Sequence, residues 1–154
     1  MIETPHITQS EAQLTAAIHL TIPREQIQEV MGPAIGELMA AVGAQGIGPA
    51  GPLLSYHFRG ELDIFDFEVA VPVTAPVTPV GRVKGSELKA AKVIRTIYHG
   101  PYEGLGEGWG EFMQWIEQSG LEKAPGFWER YLVGPESSDD PADWRTELNR
   151  PIFE

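Results

Sequence analysis

GEGWGEFMQWIEQSG, residues 106–120, repeats the pattern of GPAIGELMAAVGAQG, residues 32–46. In each, Gly-Glu is followed by an apolar residue, methionine, an apolar residue three positions on, and a closing glycine. Gly36, Glu37, Leu38, Met39, Val42 and Gly46 thus stand against Gly110, Glu111, Phe112, Met113, Ile116 and Gly120, at an offset of 74 residues throughout. Apolar residues three and four apart share one face of a helix. The pattern predicts a helix from about 33 to 43 and another from about 104 to 118. Gly32-Pro33 interrupts the first apolar series, which begins at Ile27, Val30 and Met31. A short helical lead-in is expected to stop there, with a fresh helix starting at Pro33.

Outward from the helices, LTAAIHLTI (14–22) reads as a strand, and LLSYHFRG (53–60) and IFDFEVAVPV (64–73) as a hairpin pair, with Phe65, Phe67, Val69 and Val71 on one face. AAKVIRTIYHG (90–100), FWERYLVGP (127–135) and WRTELNRPI (144–152) fill the same places in the second half. Gly60 falls on Gly134 at the offset of 74, and EVAVPV (68–73) matches ELNRPI (147–152) at 79. The five extra residues fit the loop PESSDDPAD, where an insertion costs little. Strand, helix, strand, strand therefore occurs twice, and such internal similarity marks a repeat. The expected fold is α+β: a tandem pair of β-α-β-β modules, 14–74 and 88–153 within a single domain 1–154, with antiparallel sheets and one main helix per module. TAPVTPVGRVKGS (74–86) reads as the linker, and the first ten or so residues as an extended, poorly tied terminus. Two packed α+β halves leave a cleft, and ligand sites tend to lie in such clefts.

A formal charge of −11, from 11 Lys and Arg against 22 Asp and Glu, leaves no cationic surplus to displace phosphate counterions. Direct nucleic-acid binding is not expected. The absence of cysteine excludes disulfides, thiol catalysis and thiolate metal sites. MIETPHITQSEAQ has neither the basic start nor the apolar core of a secretory signal, and no apolar run reaches about eighteen residues. The expectation is a cytoplasmic protein without a membrane partner. His6, His19, His57 and His99 lack the spacing of a zinc motif, and GEGWG lacks the lysine and strand context of a phosphate loop. Neither a metal nor a cofactor is expected, and nothing arranges Ser, His and Asp as a triad.

Within FWERYLVGP, Phe127, Trp128, Tyr131, Leu132 and Val133 suit a half-buried pleated surface, which Gly134-Pro135 ends. Glu129 interrupts them. Strand alternation puts Phe127, Glu129, Tyr131 and Val133 on one face and Arg130 on the other. Glu129 is thus either a wet-face residue or a carboxylate held inside. Held inside without a partner, it raises its pKa and takes up a proton. A cationic ligand reverses that, and aromatic walls add cation–π attraction of about 0.5–2 kcal/mol per favourable contact. Trp109, Phe112, Met113 and Ile116, like Ile35, Leu38, Met39 and Val42, read as core by their helical spacing. They serve equally as pocket wall, since methionine repacks around differently shaped ligands. Trp128, off the Glu129 face, is core or rim; Tyr56 has opposite parity to Ser55, the equivalent of Glu129.

IYHGPYEGL (97–105), WGEFMQWIEQSGL (109–121), FWERYLVGP and DDPADWRTELNRPI (139–152) follow one another in an order that resembles the GyrI-like small-molecule-binding family. This is the effector-binding domain of some AraC-type and multidrug-responsive transcription regulators. The resemblance covers most of residues 80–153 and, more loosely, the first half. It implies a tandem pair of β-α-β-β modules with a pocket between them, lined by aromatics and with a glutamate at its base. The motif places that glutamate at Glu129, with Tyr131 in the same strand and Tyr102 in GPYE. With Trp109, Phe127, Trp128, Tyr56, Met39 and Met113, these are the candidate ligand-binding residues. The implied ligand is a hydrophobic, cationic aromatic small molecule, bound for multidrug-type sensing or sequestration. No DNA-binding segment precedes the domain in these 154 residues, so the similarity is to a stand-alone form. Some stand-alone relatives resemble hydrolases that open cyclopropane rings of alkylating natural products. On that alternative Glu129 is the general base and Tyr102 or Tyr131 its helper. A protein partner is a third class, suggested by the family namesake's inhibition of a topoisomerase; only the acidic surface supports it.

Overall fold

The computed structural model describes residues 2–60, 64–135 and 137–153. Its elements in chain order are β1 (His6–Ser10), β2 (Gln13–Pro23), α1 (Ile27–Ala44), β3 (Leu54–Gly60), β4 (Ile64–Pro72), β5 (Lys84–Leu88), β6 (Ala91–His99), α2 (Leu105–Ser119), β7 (Phe127–Val133) and β8 (Arg145–Pro151). The described strand pairs are antiparallel, and with the two helices they make an α+β fold. The chain divides into two compact units, Glu11–Ala90 and Met1–Ser10 with Ala91–Glu154.

In the unit Glu11–Ala90 the strand order is β3-β4-β2-β5. Ala16, Ile18 and Leu20 of β2 stand opposite Val71, Val69 and Phe67 of β4, and all six are buried. α1 lays Ala34, Leu38, Ala41 and Val42 on them; burying each large aliphatic side chain contributes roughly 1.5–3 kcal/mol. The expected break at Gly32-Pro33 does not occur, and α1 runs through Pro33. A proline inside a helix costs about 3 kcal/mol through a lost hydrogen bond and a clash. Here Ile27, Val30 and Met31, ahead of the proline, pack on the same core as Leu38 beyond it. Burial of that continuous stripe outweighs the local loss. The linker-like stretch is also tied down: Lys84–Leu88 is β5, paired with β2, and Val77 and Val83 are buried in this core.

In the other unit the order is β1-β6-β8-β7. The N-terminal segment, expected to be loose, supplies β1, whose His6–Ser10 pair with Arg95 back to Ala91. Glu3 N donates to Ile97 O at 2.9 Å, and Thr96 Oγ1 donates to Glu3 O at 2.6 Å. α2 lays Phe112 and Ile116 on Ile94, Tyr98, Leu148 and Ile152. It ends at Gly120, whose φ of 74° is the left-handed conformation that glycine adopts without strain. Its start is clamped to the sheet. Tyr98 OH donates to Pro101 O at 2.8 Å, and a Cβ at Gly108 would come within 2.7 Å of the Tyr98 ring. The edge strands are exchanged along the sequence: β1 leads into β2 but pairs with β6, and β5 leads into β6 but pairs with β2.

Candidate functional site

Glu129 and Tyr131 on β7 stand opposite Leu148 and Thr146 of β8, which stand opposite Thr96 and Tyr98 of β6. Cross-strand partners share a face. Leu148 and Tyr98 meet Phe112 and Ile116, so Glu129 lies on the side of the sheet that α2 covers. Val133, expected on that face, is not there. A bulge between Tyr131 and Val133 sets Val133 opposite Arg145, the neighbour of Thr146, and the extra residue reverses the alternation.

The wet-face reading of Glu129 fails, because the residue is only 8% exposed. Trp109 Nε1, reaching from α2, donates to Glu129 Oε2 at 2.6 Å. Tyr131 OH donates to Oε1 at 2.9 Å. Among the described residues no Lys or Arg pairs with this carboxylate. Burial pushes the Glu129 carboxyl above the usual carboxylate range; the Trp109 and Tyr131 hydrogen bonds pull it back without cancelling the rise.

Aromatic rings continue outward from the carboxylate. Phe127 meets Trp109 edge to face at 5.0 Å, and Tyr102 meets Tyr131 in the same way at 5.9 Å. Trp144 lies tilted against Tyr102 at 5.0 Å. Tyr102 is 38% exposed, so the row connects a buried carboxylate to solvent. Thr146 Oγ1, opposite Tyr131, is buried without a hydrogen-bond partner among the described residues. It is a polar atom left available inside the site.

The structure therefore brings together Glu129, Tyr131, Trp109, Phe127 and Tyr102. Met113 packs against the α2 core. Trp128 does not join them: opposite Asn149, it lies on the other face of the sheet and is 1% exposed. Tyr56 and Met39 belong to the other unit, where Tyr56 stands opposite Glu68 and Met39 packs on the α1 core. Of the two candidate tyrosines, Tyr131 donates its hydroxyl to Glu129, and Tyr102 packs on the Tyr131 ring. Trp144 and Thr146 escaped the sequence reading although both stand in DWRTEL. Asp140 caps a short turn by accepting from Ala142 N, and the turn docks Trp144, whose Nε1 donates to Ser138 O at 3.0 Å. A tryptophan between a Pro-Asp turn and a strand was the available signal. Among the described residues no group of three or more His, Asp and Glu is placed to hold a metal ion. No described helix is long and apolar enough to cross a membrane.

Residues 3–152 match the GyrI-like small molecule binding domain, and the chain belongs to that family. No curated protein sequence gives a match. Solved structures share the fold at low identity. The EcmrR C-terminal domain superposes with a TM-score of 0.85 at 20% identity, over 98% of this chain and 98% of that one. This chain spans 57% of the EcmrR chain seen in a DNA complex. SAV2435 bound to tetraphenylphosphonium gives 0.74 at 14% identity, over 98% of this chain and 94% of that one. A hydrolase from Listeria innocua gives 0.66 at 14% identity, over 97% and 91%.

Proposed function

We propose that this chain binds hydrophobic aromatic cations at Glu129, as a multidrug-type sensing or sequestering protein. The observation that carries the reading is a buried carboxylate with two neutral donors on it and, among the described residues, no Lys or Arg paired with it. Burial penalises the charged form of such a group and raises its pKa. A ligand cation supplies the missing charge, and Trp109 and Tyr131 are already placed to stabilise the anion that results. Tyr131, Tyr102 and Trp144 offer π faces to a flat cation. The tetraphenylphosphonium complex of SAV2435 supports the ligand class. The two units share the element order strand, helix, strand, strand, which supports reading the chain as a duplicated β-α-β-β module.

Fluorescence titration with tetraphenylphosphonium and with a rhodamine dye, for wild type and Glu129→Gln, tests this reading. Opposite charges about 4 Å apart gain roughly 4 kcal/mol at an effective dielectric near 20, and deprotonating Glu129 consumes part of that. The substitution should weaken binding roughly ten- to a hundredfold. Equal affinity would remove Glu129 from the role, and absence of binding to either cation would overturn the ligand class.

A second reading, hydrolysis with Glu129 as general base, draws on the same raised pKa, since a base working near neutral pH gains from it. The fold of the Listeria hydrolase is compatible with it. Incubation with a cyclopropane-containing alkylator, with ring-opened product followed by mass spectrometry, separates the two readings. Multiple turnovers that vanish in Glu129→Gln would favour the hydrolase.

A further inference from the structure

The face of β6, β8 and β7 turned away from α2 carries a charged arrangement of the opposite sign. Arg130 Nη1 donates to Glu147 Oε1 at 2.7 Å, and Arg95 Nε lies 3.3 Å from the same oxygen. Arg95 Nε also donates to Asn149 Oδ1 at 2.7 Å, and Asn149 Nδ2 donates to Glu147 Oε1 at 3.0 Å. Alternation accounts for the cluster: Arg130 stands opposite Glu147, and Arg95 opposite Asn149, while Glu129 points to the other side. The Arg95, Arg130 and Glu147 side chains are 22%, 17% and 11% exposed.

Two guanidinium groups share one carboxylate, leaving a surplus of one positive charge largely out of water. Asn149 spends both ends of its amide within the cluster. Among the described residues Arg95 has no partner at Nη1 or Nη2, and Arg130 none at Nε or Nη2. The neighbouring groups on this face are engaged elsewhere: His99 Nε2 meets Glu3 Oε2 at 2.6 Å, and Arg145 Nη1 donates to the Ala142 and Trp144 carbonyls. Among the described residues this surplus charge meets no second carboxylate, and the unbonded donors stand at the accessible edge of the cluster, where a ligand anion can reach them.

We propose that Arg95 and Arg130 form a binding site for a single carboxylate, carried by a small organic acid. One negative charge balances the surplus, whereas a dianion would overshoot it in a chain of net charge −11. The planar guanidinium fork matches the two oxygens of a carboxylate. The site stands on its own face and does not depend on cation binding at Glu129.

The probe is sodium formate at constant ionic strength, read by arginine Nε–Hε NMR correlations with sodium chloride as the reference salt. Saturable shifts of Arg95 and Arg130, absent with chloride and unchanged in Glu129→Gln, are expected. Arg130→Lys keeps the charge but loses the fork, and should weaken formate binding roughly fivefold or more. Glu147→Gln keeps an acceptor at Oε1 and raises the surplus to two charges. It should tighten formate binding roughly tenfold and admit inorganic phosphate. Shifts that rise linearly and match those of chloride, or an equal response from both variants and wild type, would overturn the site and leave water as the arginines' partner.

Discussion

Glycines of α2 meet different surroundings, and replacing them with alanine should give opposite signs. At Gly110 a Cβ would meet open space, whereas at Gly108 it would stand 2.7 Å from Tyr98 Cδ1 and 3.2 Å from Cε1. Alanine for glycine inside a helix gains about 0.5–1 kcal/mol, so Gly110→Ala should stabilise by that amount. Gly108→Ala receives the same gain but must also move the ring. Tyr98 has little room: it is buried, its hydroxyl is tied to Pro101 O, and it packs among Phe112 and Ile116. Overpacking of this kind costs roughly 1–3 kcal/mol, which sets the difference between the two variants. For a chain of this size 1 kcal/mol moves Tm by about 2–4 °C, so their melting temperatures should differ by roughly 2–12 °C. Thermal unfolding followed by circular dichroism at the helix band checks this. The same displacement of α2 strains the Trp109–Glu129 hydrogen bond, so Gly108→Ala should also weaken tetraphenylphosphonium binding while Gly110→Ala leaves it alone. A Gly108→Ala protein as stable as Gly110→Ala would refute the clamp.

Glu129 in the folded chain holds its proton above the value near 4.5 at which the unfolded chain releases it. Its contribution to stability is full below that pH and is lost as pH rises through the folded-state value. Urea unfolding over a pH series should show wild type losing stability relative to Glu129→Gln as pH rises; parallel curves would contradict the raised pKa. Cation binding should release a proton, so affinity rises with pH and the calorimetric enthalpy changes with the buffer's own ionisation enthalpy. A buffer-independent enthalpy would mean the carboxylate is ionised beforehand. Tyr131→Phe removes a donor that lowers the Glu129 pKa and should move the pH midpoint of binding upward. Trp144→Ala should leave that midpoint in place and weaken binding roughly two- to tenfold, the worth of one aromatic contact.

Elements with a buried face were legible in the sequence because burial imposes a period. Phe67, Val69 and Val71 alternate, and Leu38, Val42, Phe112 and Ile116 fall at helical spacing; all are fully buried. Elements defined by a distant partner were not. β1 and β5 are five-residue strands with few apolar side chains, HITQS and KGSEL, and what makes them strands is the ladder offered by β6 and β2. The local penalty of Pro33 does not end α1, because the apolar stripe continues on both sides of it. In the site, parity placed Glu129 and Tyr131 on one face but could not foresee the bulge that turns Val133 away. Trp144 was hidden because its position comes from a capped turn, not from a period.

Each unit ends its strand order in a strand whose chain neighbour belongs to the other unit: β1 runs on into β2, and β5 into β6. Residues 84–154 expressed alone would carry β5 with no β2 to receive it, and β6 with a bare edge where β1 belongs. Open sheet edges recruit whatever strand is at hand. Two such halves in solution would answer each other's need by swapping leading strands, a dimer whose population depends on how often the halves meet. Within one polypeptide the β1–β6 and β2–β5 pairings are governed by tether length instead of protein concentration.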